Sequence, residues 1–150
     1  MNRWFSGEKA GQPEKAAKRG PFGQAWGERR WGFGGPKRVE IDLTTQRLRA
    51  YEGDRLVMQS RISSGRNRAT PTGRFTAGPY KAENHYSSLF QNAHMPWSVQ
   101  VHGHIFIHGF SSIPDYPASH GCIRLPLTGN NPAKRFYHWV EVGTPIRISY

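Results

Sequence analysis

The chain has 150 residues, which is the size of one ordinary domain and excludes a pair of enzymatic domains. Hydrophobic residues make up 36% and charged residues 21%, a balance too apolar for a wholly disordered chain. The net charge of +11 favours an anionic partner, but no nucleic-acid-binding module is recognisable, so we do not expect nucleic acid as that partner.

Residues 1–37 are rich in glycine, proline and basic residues, and they show neither a strand period nor a helix period. They predict an irregular basic arm or linker. After Met1 there is no apolar region of the kind that a secretory signal contains. No apolar run approaches the roughly 20 residues of a membrane-spanning helix, so we expect neither a signal peptide nor a transmembrane segment.

From residue 38 to residue 150, apolar and polar residues alternate in short runs separated by turn formers, which predicts one strand-rich domain. The segment Glu52-Gly53-Asp54 predicts a hairpin turn, and residues 65–73 predict a long turn-rich connection. Residues 81–96 carry little periodicity and predict an irregular loop. The expected strands cover residues 39–43, 48–51, 56–62, 74–80, 97–101, 105–108 and 146–150.

One helix is predicted near the end of the chain. Asn131 is the expected N-cap and Pro132 the first helical residue, while Phe136 and Val140 lie four apart on one face. The predicted fold is therefore mainly β, a sandwich or barrel with one packed α-helix.

The segment HGHIFIHGF, residues 102–110, concentrates histidines on a predicted strand. Alternation places His104, Phe106 and His108 on one face and the two isoleucines on the core face. The glycine after His108 is expected to end the strand and to expose the imidazole.

Cys122, the only cysteine of the chain, follows a glycine in the run Ser119-His120-Gly121-Cys122. A single cysteine excludes an intramolecular disulfide and a multi-thiolate metal site, which leaves a buried inert thiol or a reactive one. Backbone N–H groups in such a turn can form an oxyanion hole. A nearby imidazole and Arg124 would raise the thiolate fraction, so the surroundings favour the reactive thiol.

A zinc site is the main alternative. His102, His104 and His108 have a spacing that could ligate zinc and leave one position open for catalysis. No acidic residue is adjacent to complete the ligand set, and the cluster around Cys122 would go unexplained. We therefore expect no metal and no organic cofactor. A basic nucleic-acid-binding protein and a wall-binding module with an inactive site also remain as alternatives.

These residues resemble the L,D-transpeptidase family, also called the YkuD domain. Its signature is a strand ending in His-Gly, a loop, and Ser-His-Gly-Cys followed by an aliphatic residue and Arg. This chain has His108-Gly109 and then the run from Ser119 to Arg124. Thirteen residues, 109–121, separate His108 from Cys122, slightly fewer than in many members. The resemblance covers residues 38–150 and leaves the arm outside.

The resemblance implies that Cys122 is a nucleophile, that His108 takes its proton, and that the Gly109 carbonyl orients the imidazole. Backbone N–H groups of His120, Gly121 and Cys122 would stabilise the oxyanion. The expected substrate is a peptidoglycan stem peptide, cleaved between the third-position diamino acid and the terminal D-alanine. An amine of a second stem would then complete a cross-link, whereas water would make the enzyme an L,D-carboxypeptidase.

The remaining expectations concern the groove and the location of the protein. Arg124 would bind a substrate carboxylate or brace the loop, and Ser119 and His120 would shape the turn. Family members act on the cell wall, which implies the cell envelope or periplasm, where the basic arm could bind anionic wall polymers. The candidate groove walls are Tyr116, Met95 and Trp97.

Overall fold

Strands dominate residues 35–150, which are the residues that the computed structural model describes. The strands are β1 (Lys37–Asp42), β2 (Arg47–Glu52), β3 (Arg55–Arg61), β4 (Gly73–Thr76), β5 (Lys81–Ser87), β6 (Ala93–His102), β7 (Ile105–Phe110), β8 (Ile123–Pro126) and β9 (Pro145–Ser149). Helix α1 covers Pro132–Trp139. The predicted mainly β fold with one packed helix is confirmed. No helix within residues 35–150 is long and apolar enough to cross a bilayer.

The chain divides into two compact units. The larger unit comprises residues 38–50 and 56–150 and contains every candidate site residue. The described part of the smaller unit comprises residues 35–37, at the start of β1, and residues 51–55, at the tip of the hairpin between β2 and β3. Most of the predicted basic arm, residues 1–34, lies outside the described residues, so its role and its boundary stay predictions.

The strands form two mixed sheets. The first has the order β3-β2-β1-β9-β4, and the second has the order β5-β6-β7-β8. In the first sheet β9 runs parallel to β1 and antiparallel to β4, with Ile146 opposite Val39 on one side and Phe75 on the other. In the second sheet β6 is antiparallel to β5 and to β7, whereas β7 and β8 are parallel.

The apolar alternation that predicts these strands also builds the core. Val39 and Ile41 on β1 and Ile146 and Ile148 on β9 are each 1% exposed. Burying a side chain of this size contributes roughly 1.5–3 kcal/mol, so the paired strands are held chiefly by their inward faces.

Helix α1 begins and packs as its sequence predicts. The Asn131 side chain accepts a hydrogen bond from the Lys134 N–H at 3.1 Å, and Pro132 opens the helix. Phe136 is fully buried and Val140, the C-cap, is 2% exposed. These residues anchor the helix against the second sheet, and that places α1 behind the strands that carry the candidate site.

Residues 81–96 are not an irregular loop, contrary to the sequence prediction. They form β5, a short turn and the first part of β6, with Ser87 paired to Ala93. The turn closes with a hydrogen bond from the Asn92 N–H to the Ser87 carbonyl at 2.8 Å. Most of β5 is exposed or half-buried, so it lacks the apolar alternation by which strands are recognised. The short strand β8 was likewise not predicted.

Gly109 does not end β7, which continues to Phe110 and so corrects the predicted strand boundary. A Cβ on Gly109 would lie 2.4 Å from Leu127 Cδ2 and 3.0 Å from Ala133 Cβ. The glycine is therefore required by the close approach of α1 and its preceding loop to the strand that carries His108.

We predict that Gly109→Ala destabilises the domain by about 1–3 kcal/mol, because the added methyl group overpacks a buried contact. Urea unfolding would measure this loss. The double variant G109A/L127A should lose less than the sum of the two single variants, since removing the Leu127 side chain makes room. Wild-type stability in G109A would contradict the packing argument.

Candidate active site

The side chains of Cys122 and His108 share one face of the second sheet. The parallel pairing of β7 with β8 places Ile107 opposite Ile123 and His108 opposite Arg124. Side chains alternate along a strand, so the fully buried isoleucines face the core and the other pair faces away from it. Cys122 comes two residues before Arg124, which directs its thiol to the same face as the imidazole.

This face opens into a cavity of about 330 Å³. The β5–β6 hairpin supplies one wall, β7 and the turn before it supply the floor, and the segment ending at Arg124 supplies the other wall. No Asp or Glu is among the described residues that line it. The lining residues are Leu89, Phe90, Ala93, His94, Met95, His104, Ile105, His108, Phe110, Ser119, His120, Gly121, Cys122 and Arg124.

His108 is only 4% exposed, which corrects the expectation of an exposed imidazole. Its Nδ1 lies 2.8 Å from the Gly109 carbonyl oxygen. Because a carbonyl can only accept, Nδ1 carries the proton and Nε2 is the acceptor. Burial lowers the pKa of His108 to about 4, with a smaller contribution from the positive charge of Arg124, although the Gly109 hydrogen bond opposes the shift. The imidazole is therefore neutral at pH 7.

The thiol of Cys122 lies between two backbone groups. Its Sγ accepts from the Phe106 N–H and donates to the His104 carbonyl, each at 3.4 Å. Burial raises the pKa of the thiol and outweighs the opposing effects of the Phe106 N–H and the Arg124 charge. Arg124 thus acts in the expected direction, but burial outweighs it, so the resting site holds a neutral thiol beside a neutral imidazole.

The turn before Cys122 is closed by Ser119. Its Oγ donates to the Cys122 carbonyl at 2.5 Å and accepts from the Gly121 N–H at 3.0 Å. The Gly121 N–H, one of the three predicted oxyanion donors, is thus already engaged. No acceptor is found within residues 35–150 for the N–H of His120 or of Cys122.

A second segment, residues 63–70, holds the turn in place by backbone pairing. The Ser63 N–H donates to the Arg124 carbonyl at 3.1 Å, and the Arg124 N–H donates to the Ser63 carbonyl at 3.0 Å. The Ser64 carbonyl accepts from the N–H groups of Ala118 and Ser119, both at 3.0 Å. The chain on both sides of Cys122 is therefore fixed to the same support.

Thr70 completes this support. Its Oγ1 accepts from the Gly65 N–H at 2.8 Å and donates to the Gly121 carbonyl at 2.7 Å. A Cβ on Gly65 would lie 2.7 Å from Gly121 Cα, so the two backbones meet where no side chain fits. In the sequence Thr70 is marked only by the turn formers around it, and its contact with a residue 51 positions away has no local signal.

Arg124 contacts its surroundings through both its backbone and its guanidinium. Its backbone braces the turn through Ser63, while its guanidinium lies 3.9 Å from the centre of the Phe110 ring. Its Nε is buried and has no hydrogen-bond partner among the described residues. An unsatisfied buried donor is costly, so this nitrogen is suited to an acceptor that a substrate brings.

The predicted groove walls are only partly brought to the cavity. Met95 lines it, but Trp97 instead packs against Tyr137 and His138 of α1, with ring centroids 5.4 and 5.3 Å apart. Tyr116 is 63% exposed, and its carbonyl accepts from Ser63 Oγ. Closeness in sequence to a site therefore does not show whether an aromatic side chain faces it.

The three histidines of the alternative zinc site are not arranged as ligands. The ring of His102 packs against Phe75, with centroids 5.3 Å apart, whereas His104 and His108 line the cavity. Within residues 35–150, no cluster of three or more His, Cys, Asp or Glu side chains could hold a metal ion.

Comparison with known proteins identifies a family. Residues 36–148 match the sequence model of YkuD, described as the L,D-transpeptidase catalytic domain. A Bacillus subtilis (strain 168) protein with the name "Putative L,D-transpeptidase YciB" is 31% identical over 132 residues, which cover 75% of this chain and 66% of that protein.

Solved structures show the same fold. The L,D-transpeptidase of Xylanimonas cellulosilytica (residues 123–326) is 33% identical with a TM-score of 0.64, over 78% of this chain and 62% of that one. The L,D-transpeptidase of Stackebrandtia nassauensis is 20% identical with a TM-score of 0.68, over 77% of this chain and 56% of that one. The chain thus spans 56–66% of the length of these three relatives.

We predict that Thr70→Val destabilises the domain by about 1–3 kcal/mol, since it leaves the buried Gly65 N–H and Gly121 carbonyl without their partner. Chemical denaturation would measure the loss. Thr70→Ser keeps the hydroxyl and is the matched control, which should retain most of the stability. Wild-type stability in Thr70→Val together with a loss in Thr70→Ser would show that the methyl group, not the hydroxyl, supports the turn.

Proposed function

The chain belongs to the YkuD family of L,D-transpeptidase catalytic domains, and from that premise we propose that its cavity carries out cysteine-dependent acyl transfer on peptidoglycan stem peptides. The observation that supports this most directly is the placement of Cys122 and His108 on one sheet face, with the imidazole held so that Nε2 is the acceptor. Family and fold support cell-wall cross-linking in general, and the steps below are the finer proposal.

In the first step Cys122 Sγ attacks the carbonyl between the third-position diamino acid and the terminal D-alanine of a stem tetrapeptide. The thiol proton passes to His108 Nε2, and an S–C bond forms as the carbonyl oxygen takes the negative charge. The N–H groups of His120 and Cys122 are the donors proposed for that oxyanion. When the C–N bond breaks, the imidazolium gives the proton to the amine of the departing D-alanine. The rest of the stem stays bound to Cys122 as a thioester.

In the second step an amine of another stem attacks the thioester. His108 takes a proton from this amine, the new amide forms, and the thiolate leaves and is reprotonated by the imidazolium. The result is a cross-link between two stems and a restored thiol. If water attacks in place of the amine, the same site releases a shortened stem and acts as an L,D-carboxypeptidase.

The electrostatics of the cavity support a proton transfer that is coupled to attack. Burial keeps the imidazole neutral and the thiol protonated, so no ion pair has to be maintained in the empty site. As negative charge moves onto the substrate oxygen, the nearby Arg124 charge favours it. We also propose that the unpartnered Nε of Arg124 binds the carboxylate of the terminal D-alanine.

A peptidoglycan substrate places the protein at the cell envelope under this proposal. The basic arm, expected to bind anionic wall polymers, lies largely outside the described residues and adds no support either way.

We predict that Cys122→Ala abolishes D-alanine release from a disaccharide-tetrapeptide and leaves the fold intact, because a thiol-to-methyl change removes little volume. Family members react with carbapenems, so intact mass spectrometry should show one adduct on wild type and none on C122A. Product masses would distinguish a cross-linked dimer from a trimmed stem. Turnover by C122A would contradict the mechanism.

We also predict that His108→Ala lowers acylation by about 10²–10⁴-fold, the usual contribution of a general base. His104→Ala is the matched control and should lose far less, since only its backbone carbonyl contacts the thiol. Equal losses in the two variants would favour a histidine-ligated metal instead.

The pH profile of acylation should reflect the low pKa of His108. The base form is the neutral one, so activity persists above pH 4 and falls only as the pH drops through that value. At pH 5 an imidazole with a pKa of about 4 is about 90% neutral, whereas an ordinary histidine is about 3% neutral. An acid limb near pH 6.5 in stopped-flow measurements would contradict the burial argument.

A further inference from the structure

Arg66 lies at the rim of the cavity and has no part in the steps above. Its backbone N–H donates to the Ser119 carbonyl at 3.0 Å, and its Nη2 lies 3.1 Å from His120 Nε2. A guanidinium only donates, so His120 Nε2 accepts. The His120 ring in turn stacks on Phe90 with centroids 4.6 Å apart. The guanidinium is thus held by His120, whose ring also contacts the tip of the β5–β6 hairpin.

Arg124 lines the cavity, and Arg66 lies beside it in contact with the lining residue His120. No ion pair of the described residues includes either arginine, and no carboxylate lines the cavity. Burial lowers the pKa of Arg124, and the positive charge of Arg66 lowers it further. An anion that binds between the two guanidinium groups would relieve this repulsion.

The two arginines lie in different directions from the thiol. Arg124 is on the same strand face as Cys122 and two residues beyond it, where it is placed for the carboxylate next to the scissile bond. Arg66 contacts the cavity residue His120, whose ring stacks on Phe90 of the hairpin. The residue whose carbonyl is attacked must place its own side chain in the cavity. A carboxylate at the end of that side chain lies several bonds from the attacked carbonyl. It is therefore the anionic group of the substrate that could reach Arg66.

We propose that Arg66 is a specificity-determining residue that binds a second carboxylate of the donor stem, carried on the side chain of the third-position diamino acid. This inference rests on the acyl transfer proposed above. It implies that the enzyme prefers stems in which this carboxylate is free over stems in which it is amidated or lacking.

The expected preference is modest because Arg66 is exposed and its interactions are screened by water and salt. A rim contact of this kind corresponds to a rate ratio of about fivefold at low salt. The ratio should shrink as salt is added, whereas a preference based on the shape of the side chain would not change.

The test compares three synthetic tetrapeptide donors that differ only in the third residue, which carries diaminopimelate, its side-chain amide, or lysine. Initial rates of D-alanine release give kcat/KM for wild type, R66Q and R68Q. Arg68 is the matched control: it lies in the same short turn, but its guanidinium stacks on Tyr150 at 3.9 Å. Affinity of the same donors for C122A, measured by calorimetry, gives a second readout that needs no turnover.

Wild type and R68Q should favour the free carboxylate over the amide and lysine by about fivefold, in rate and in affinity, and in R66Q the ratio should fall to about one. Equal rates on the three donors in wild type, or a preference that survives in R66Q, would overturn the assignment of Arg66 alone. If none of the donors releases D-alanine, the proposed function is wrong and this inference falls with it. The wild-type comparison holds even if R66Q does not fold.

Discussion

The parallel pairing of β7 with β8 is the constraint on which the candidate site depends. It sets His108 beside Arg124 and brings Cys122 to the same face, while the isoleucines one position away fill the core behind them. A shift of one residue in this register would turn the imidazole toward the core and an isoleucine toward the cavity. The hydrophobic packing that selects the register therefore also selects how the two proposed reacting groups are placed.

Most of the chemistry of the cavity follows from the removal of water. A buried imidazole without an acidic partner stays neutral, and a buried thiol stays protonated, so the resting pair carries no charge. The positive charge in and beside the cavity is carried by Arg124 and Arg66. Backbone hydrogen bonds hold Arg124 to Ser63 and Arg66 to Ser119. Such surroundings favour the anionic substrate and the oxyanion of the proposed reaction.

The sequence predicts the elements that bury an apolar face and the motif that carries the chemistry. Alternation locates β1, β2, β3 and β9, and capping chemistry locates α1. Strand β5 was missed because most of its residues stay in contact with water, and β8 because four residues are too few to show a period. In the site, Cys122 and His108 could be named from their motif and its resemblance to the family, whereas the contacts of Thr70 and Arg66 join positions more than fifty residues apart and have no local signal. Burial raises the pKa of the Cys122 thiol, the opposite of the net shift inferred from the sequence, because the sequence does not show how deeply a side chain is buried.

The place of β9 in the first sheet has a consequence for how the domain acquires its structure during synthesis. β9 lies between β1 and β4, yet it follows all the other described strands in the chain. While a ribosome is making the protein, β1 can pair only with β2, and β4 has no partner in this sheet, until residues 145–149 emerge. Their apolar faces stay exposed for that interval, and contacts between such distant residues form slowly. The first sheet is thus completed only after its last strand has been made.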